Sequence, residues 1–224
     1  MNPGKRLLAA AQAVRENRLT VDVGTDHAYL PAYLVLSGKT KHCLAVDIGV
    51  GPLQNAEKTV AKYGLSESVR LRISDGLQSV LPSEAEDITI CGMGGTLMTE
   101  ILSSCTWLQK EDLHLVLQPQ SHVWEVRSFL LHNGFCITDE SVTEENGKLY
   151  ITIEALFDGK KRTPSAGEVY FGSLLFSTQS LAVRYCQDRC RQLTVRLSAL
   201  QKAGLQNEET DFLTSCLTYY ESSK

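Results

Sequence analysis

Five short apolar runs, each followed by a segment long enough for a helix, set the rhythm of the first part of the chain: 19–23, 43–48, 69–73, 88–91 and 113–117. Runs of this length, separated by helix-length stretches, are the pattern of buried parallel strands joined by crossover helices. Helices are predicted from about Tyr29 and over 52–63, 96–103 and 122–133. Pro52 suits a first helical turn, and Gly64 and Gly134 suit positions just past helix ends. The fold class that follows is α/β with a mainly parallel sheet.

After Gly134 the rhythm changes. Segments 135–142 and 148–157 read as strands, and Glu144-Glu145-Asn146-Gly147 between them reads as a hairpin turn, so an antiparallel pair is predicted on one sheet edge. The stretch DGKKRTPSAG, 158–167, has little apolar content and is taken as a boundary between a main domain over 1–160 and a helical appendage over 161–224. In the appendage, Cys186, Cys190, Leu193, Leu197 and Leu200 step by four, three, four and three, the spacing of a narrow, coiled-coil-like seam. Leu213, Cys216, Leu217 and Tyr220 predict a second helix after a break at 204–207, which completes an antiparallel helical hairpin.

The 224 residues are 43% hydrophobic and 21% charged, the composition of a soluble protein with a substantial core. No run approaches the roughly 18 apolar residues of a membrane span, and 1–20 lacks a signal-peptide core, so a cytoplasmic protein without membrane contact is expected. The net charge is −4, but 160–202 holds eight Lys or Arg against two acids. That local excess is either a solvated helix face or a surface for a polyanion. The candidates for the second reading are Arg184, Arg189, Arg191 and Arg196, with Lys5, Arg6, Arg15 and Arg18 extending the patch from the N-terminus. The seven cysteines form no C-x-x-C pair and read as reduced thiols. Cys186 and Cys190 lie one helical turn apart with no histidine following, so they read as small buried hydrophobes and no metal site is expected.

Candidate chemistry gathers at the strand ends, where α/β folds hold their ligands. The first strand leads into DVGTDHAYLP, 22–31, whose single Gly24 is flanked by Asp22, Asp26 and His27. A dinucleotide loop needs three glycines to bring its backbone to a pyrophosphate; a loop with one glycine and two carboxylates repels phosphate. The second strand ends at Asp47, placed to accept both hydroxyls of a ribose, and the third at Asp75-Gly76, placed to accept from an adenine amine. The fourth ends in CGMGG, where Gly92, Gly94 and Gly95 permit close approach of a ligand to the backbone. An adenosine group held by carboxylates without a phosphate cradle fits S-adenosylmethionine better than NAD or ATP. A nucleotide-dependent oxidoreductase is disfavoured by the missing glycines.

Taken in order, DVGTDHAYLP, DIGVGP, SDGL, CGMGG and LQP (117–119) resemble one family, the bacterial tRNA adenine-22 N1-methyltransferases, over roughly residues 5–157. The resemblance implies a Rossmann-like class I methyltransferase sheet of seven strands followed by a coiled-coil-like hairpin, with S-adenosylmethionine as cofactor and tRNA as partner. It also implies that Asp22, Gly24, Asp26 and His27 line the methionine side, that Asp47 and Ile48 meet the ribose, and that Asp75 and Gly76 meet the adenine. Gly92 and Met93 fall beside the transferable methyl. Cys91 and Gln120 depart from the family pattern, which expects a small residue at the first position and, in some members, asparagine at the second.

Ring N1 of adenine carries its own lone pair, so methylation there needs orientation and charge compensation rather than prior proton removal. Asp26, past the glycine turn, is expected nearest the chemistry, with Tyr29, Tyr33 or His27 as the platform for the base and Tyr29 ranked first. A helix-capping role is the alternative for Asp26. The D/N-P-P-Y loop of many adenine N6 enzymes is absent, which disfavours that chemistry. A non-catalytic RNA-binding protein on this fold and a methyltransferase with a protein or metabolite substrate remain as rivals. The chain is expected to act as a monomer.

Overall fold

The computed structural model describes residues 1–224. One seven-stranded sheet runs in the order β3-β2-β1-β4-β5-β7-β6. Its strands are β1 (Thr20–Val23), β2 (Cys43–Asp47), β3 (Val69–Ile73), β4 (Asp87–Cys91), β5 (His114–Gln118), β6 (Phe135–Glu145) and β7 (Lys148–Phe157). β1 to β5 are mutually parallel, whereas β7 runs antiparallel to both β5 and β6. The parallel strands and the antiparallel edge pair are what the apolar rhythm predicts, and the seven-stranded class I methyltransferase arrangement is what the family resemblance implies. The strand order reverses between β1 and β4, the place where an open α/β sheet leaves a crevice for a ligand.

The crossover helices α2 (Tyr29–Leu36), α3 (Val50–Lys62), α4 (Gly95–Ser104) and α5 (Val123–His132) fall where the pattern puts them, within two residues at each end tested. The hairpin is tighter than expected. Glu144 and Glu145 remain in β6, in register with Leu149 and Lys148, and the turn is Asn146-Gly147 alone, both with positive φ. That conformation belongs to the two-residue turn whose twist matches its strands, and Asn-Gly is the pair that tolerates it.

Helix α1 (Lys5–Ala13) has no counterpart among the predicted elements. Its sequence KRLLAAAQA is rich in strong helix formers, and the buried Ala10 and Ala11 let it lie close to the sheet. The tail holds α6 (Ala166–Phe171), a 3₁₀ turn, α7 (Ser180–Lys202) and α8 (Glu208–Ser222). On α7, Cys186, Leu193 and Leu200 are buried and Cys190 and Leu197 are partly buried, so the seam is where its spacing puts it. The seam does not form a free-standing coiled coil, because α6 and β6 share the apolar face of the hairpin. One buried cluster runs from the central strands through Phe135 and Phe171 to Tyr185, Leu193 and Tyr220. All seven cysteines are unpaired, and burial pushes the Cys186 thiol up to about 11.

Candidate active site

The carboxyl ends of β1 and β4, the loop after β5 and the first turn of α1 enclose a cleft of about 390 Å³. Seven of the cofactor and catalytic candidates line it: Asp22, Gly24, Asp26, His27, Tyr29, Gly92 and Met93. Asp22 sits opposite Thr89 across the β1–β4 pair, and the Thr89 hydroxyl donates to its Oδ1 at 2.7 Å. Burial in the sheet centre pushes the Asp22 carboxyl up to about 6, while the Thr89 bond and nearby Arg6 act to hold it down. Neighbouring Asp47 raises it further. The site therefore favours a cation beside Asp22 that can compensate its charge.

The loop that follows is bent hard. Asp26 and Ala28, neither of them glycine, have φ of 42° and 53°, in the left-handed region. Strain of this kind persists where the surrounding structure fixes the loop, and it collects at binding sites. The backbone N–H of Gly24 donates to Val46 O of β2 at 2.8 Å, and a Cβ on Gly24 would meet the Met93 methyl. Its φ of 74° lies in the left-handed region that side-chain-bearing residues rarely adopt. Asp26 does not cap α2: the capping position is Ala28, and no side chain bonds there. The Asp26 carboxylate is exposed, 3.5 Å from Nε2 of His27, whose ring stacks on Tyr29 at 5.1 Å and 7° between planes. A parallel His–Tyr pair with Tyr29 exposed at the rim is a ready surface for a flat base.

Asp47, Ile48, Asp75 and Gly76 lie outside this cleft, along the same sheet edge at the ends of β2 and β3. Asp47 Oδ1 accepts from the Gly49 N–H at 2.8 Å, which holds the carboxylate in a fixed direction. Ile48 is 68% exposed, an apolar side chain held in solvent at a strand end, as a surface for an aromatic ring would be. Asp75 is exposed and accepts a weak bond from Gln78 Nε2 at 3.4 Å. The donor set along the edge is carboxylates and apolar side chains, with no lysine or glycine-rich phosphate cradle. It fits an adenosine bearing a sulfonium and an amino acid group, and it does not fit a pyrophosphate.

The sequence reading missed part of the cleft and misplaced another. Arg6, expected on a basic surface, reaches into the cleft from α1: its Nη1 donates to Gln118 Oε1 at 2.8 Å. Gln118 is fully buried at the end of β5 and returns a bond from its Nε2 to Arg6 O at 3.0 Å, with another to Thr152 Oγ1. A Cβ on Gly92 would meet Arg6 Nη1 at 3.5 Å and Gln120 Nε2 at 3.7 Å, so α1 and the loops after β4 and β5 converge on that glycine. The LQP motif was the available signal for Gln118. Arg15 and Arg18 do not extend the basic patch; they sit at the opposite end of the strands, paired with Asp87, Glu86 and Asp112. No group of three metal-ligating side chains occurs, and no helix is long and apolar enough to cross a membrane.

Residues 4–153 match the family model described as a methyltransferase domain. The chain is 37% identical over 151 residues to the tRNA (adenine(22)-N(1))-methyltransferase of Bacillus subtilis, an alignment covering 67% of this chain and 63% of that protein. The crystal structure of the B. subtilis M1A22 tRNA methyltransferase TrmK superposes with a TM-score of 0.87 at 28% identity, covering 99% of this chain and 98% of that one. Sp1610 of Streptococcus pneumoniae, solved in complex with S-adenosyl-L-methionine, superposes at 0.81 with 32% identity, covering 95% and 98%. With the tail included in both superpositions and the methyltransferase domain model matching two thirds of the chain, the chain belongs to the tRNA (adenine-22 N1)-methyltransferase family.

Proposed function

We propose that the protein transfers a methyl group from S-adenosylmethionine to N1 of adenine 22 in tRNA. The observation that carries this reading is the convergence of Asp22, Asp26, the His27–Tyr29 stack, Gly92 and Arg6 on one cleft at the sheet's reversal point. S-adenosylmethionine, as bound in Sp1610, supplies an activated methyl on a sulfonium. The chain's own residues have the remaining work. Asp22 faces the cationic side of the cofactor, Asp47 receives the ribose hydroxyls, and Ile48, Asp75 and Gly76 bound the adenine. Gly24, Gly92 and Met93 shape the gap through which the methyl is reached.

N1 lies on the Watson–Crick edge, so the target base must leave any pair or stack and enter the cleft. Tyr29 and His27 receive its face. Asp26 accepts from the exocyclic amine, fixes the ring and balances the positive charge that develops at N1. Arg184, Arg189, Arg191 and Arg196, with Lys5, supply affinity for the RNA backbone. The tail's apolar seam is covered within the chain by α6 and α8, which supports action as a monomer. A cytoplasmic location follows from a tRNA substrate.

The decisive experiment is incubation with labelled S-adenosylmethionine and unmodified tRNA, digestion to nucleosides and identification of the methylated base. Label in 1-methyladenosine at position 22 is the expected result. Label at another base, or on protein alone, overturns the reading.

A further inference from the structure

A groove of about 720 Å³ lies beside the cleft and is the larger of the two. Helix α3 gives it one wall and the N-terminal segment 1–4 another, with Glu145 and Asn146 of the β6–β7 turn at its edge. His27, Tyr29 and Pro3 line both depressions, so the stacked ring pair stands on the ridge between them. Only three of the thirteen residues lining the groove are hydrophobic, which leaves an apolar ligand or the apolar face of a helix little to bury against.

The α3 wall is one helical face. Asn55, Lys58, Thr59 and Lys62, with Tyr63 at the helix end, are spaced by three and four residues along it. Lys58 and Lys62 are exposed, and neither has a carboxylate within ion-pair distance. Lys62 Nζ stands 5.5 Å from the centroid of the half-buried Tyr63 ring. Glu145 is the one acid in the lining, and its carboxylate accepts from the Arg6 N–H at 3.4 Å. Its neighbour Glu144 is paired with Arg184 of α7, so the turn that edges the groove also touches the tail. Two free ammonium groups against one engaged carboxylate make the groove positive. Cations beside aromatic rings are the parts that hold a single nucleic-acid strand, the cations tracking phosphates and the rings receiving bases.

We propose that this groove carries the RNA strand on one side of the target adenosine, with Lys58 and Lys62 on its phosphates and Tyr63 against a base, an assignment that rests on the tRNA methylation reading. Methylation at N1 draws the adenosine out of its pair, and the nucleotides joined to it follow. The ridge fixes their course: a base laid on the His27–Tyr29 stack from the cleft side has the groove immediately beyond the rings. Lys58 and Lys62 lie about 6 Å apart along the helix axis, a step that suits successive phosphates of an extended strand. The α3 face therefore positions substrate without touching the reacting atoms.

The test compares wild-type protein, Lys58→Gln/Lys62→Gln and Lys41→Gln, the last removing an exposed charge just before β2, at the opposite end of the strands. For the double variant, KM for unmodified tRNA is expected to rise about tenfold, and the slope of log affinity against log salt to fall by about one per lysine. Its kcat, S-adenosylmethionine affinity and melting temperature stay at wild-type values. Lys41→Gln leaves KM and slope unchanged. A second measurement needs no variant: mild acetylation of wild-type protein with and without tRNA, read by mass spectrometry, is expected to show Lys58 and Lys62 protected by tRNA and Lys41 modified equally in both. Wild-type KM and salt slope in a folded double variant, or equal acetylation of Lys58 and Lys62 with and without tRNA, overturn the groove's role; if the double variant fails to fold, the acetylation result decides. Wild-type protein that leaves tRNA unmethylated overturns the function itself, and this assignment with it.

Discussion

Arg127 of α5 and Glu140 of β6 form an ion pair at 2.6 Å with their side chains 0% and 1% exposed. Arg127 Nη1 also donates to the carbonyls of Val169 and Tyr170, and Glu140 Oε2 accepts from the N–H and hydroxyl of Ser173. One buried pair therefore fastens the tail's first helix to the sheet.

Removing one member leaves the other charged and buried, a loss of about 3–5 kcal/mol. Arg127→Met is expected to fall in that range in urea unfolding, with Arg127→Met/Glu140→Leu recovering most of it. A chain ending before Ala166 removes the partners of Arg127 Nη1 and uncovers Phe171 and its neighbours, so it is expected to unfold rather than to retain cofactor binding. A loss below about 1 kcal/mol in the single variant contradicts this role.

Asp26→Asn separates chemistry from stability. Because Asp26 caps no helix, its melting temperature is expected to match wild type, with a free-energy change within about 0.5 kcal/mol. Single-turnover methylation is expected to slow by about 10²-fold, since the amide cannot balance charge at N1. A wild-type rate at saturating cofactor removes Asp26 from the chemistry.

Burial raises the Asp22 carboxyl to about 6, so its protonated form is favoured in the folded chain. The associated stability is full below the unfolded value near 3.9 and is lost as pH rises through 6. A cationic ligand reverses this preference, so S-adenosylmethionine affinity is expected to rise across pH 5–7. Calorimetric titration of wild type and Asp22→Asn checks it; the variant should bind weakly with little pH dependence.

His114, buried at the start of β5, has Nδ1 3.1 Å from Asp87 Oδ2 and Nε2 3.6 Å from Glu154. Burial opposes its charge, but the two carboxylates prevail and raise its pKa. Its contribution is present below the unfolded value near 6.5 and disappears as pH climbs through the raised folded value. Asp87 is held below the carboxylate range against its burial by His114 and Arg15, so its contribution is lost only in acid. The unfolding free energy of wild type should fall from pH 6 to 9, and His114→Gln should flatten that trend.

S-adenosylmethionine at a hundredfold excess over its dissociation constant should add about 2.7 kcal/mol to stability, and NAD none. Asp47→Ala is expected to lose most of that shift in a thermal melt.

The alternation of apolar runs with helix-length segments was enough to place the parallel strands, because burial on both faces of a sheet leaves little choice of residue. The strand ends themselves were equally legible, so the sequence placed Asp22, Asp47, Asp75 and Gly92 along one sheet edge, where the structure also has them. Helix α1 was not, since it precedes the first strand and the partners that fix it, such as Gln118, lie far along the chain. Arg6 looked like surface charge for the same reason, and only the docking of α1 against β5 turned it into the cleft. The four tail arginines are alike in sequence; which of them keeps a free charge was decided by where Glu144, Asp188 and Glu209 fell. Periodicity and composition act on one element at a time and can be read from neighbours in the chain, whereas a charge is spent or left available by contacts that only the folded structure creates.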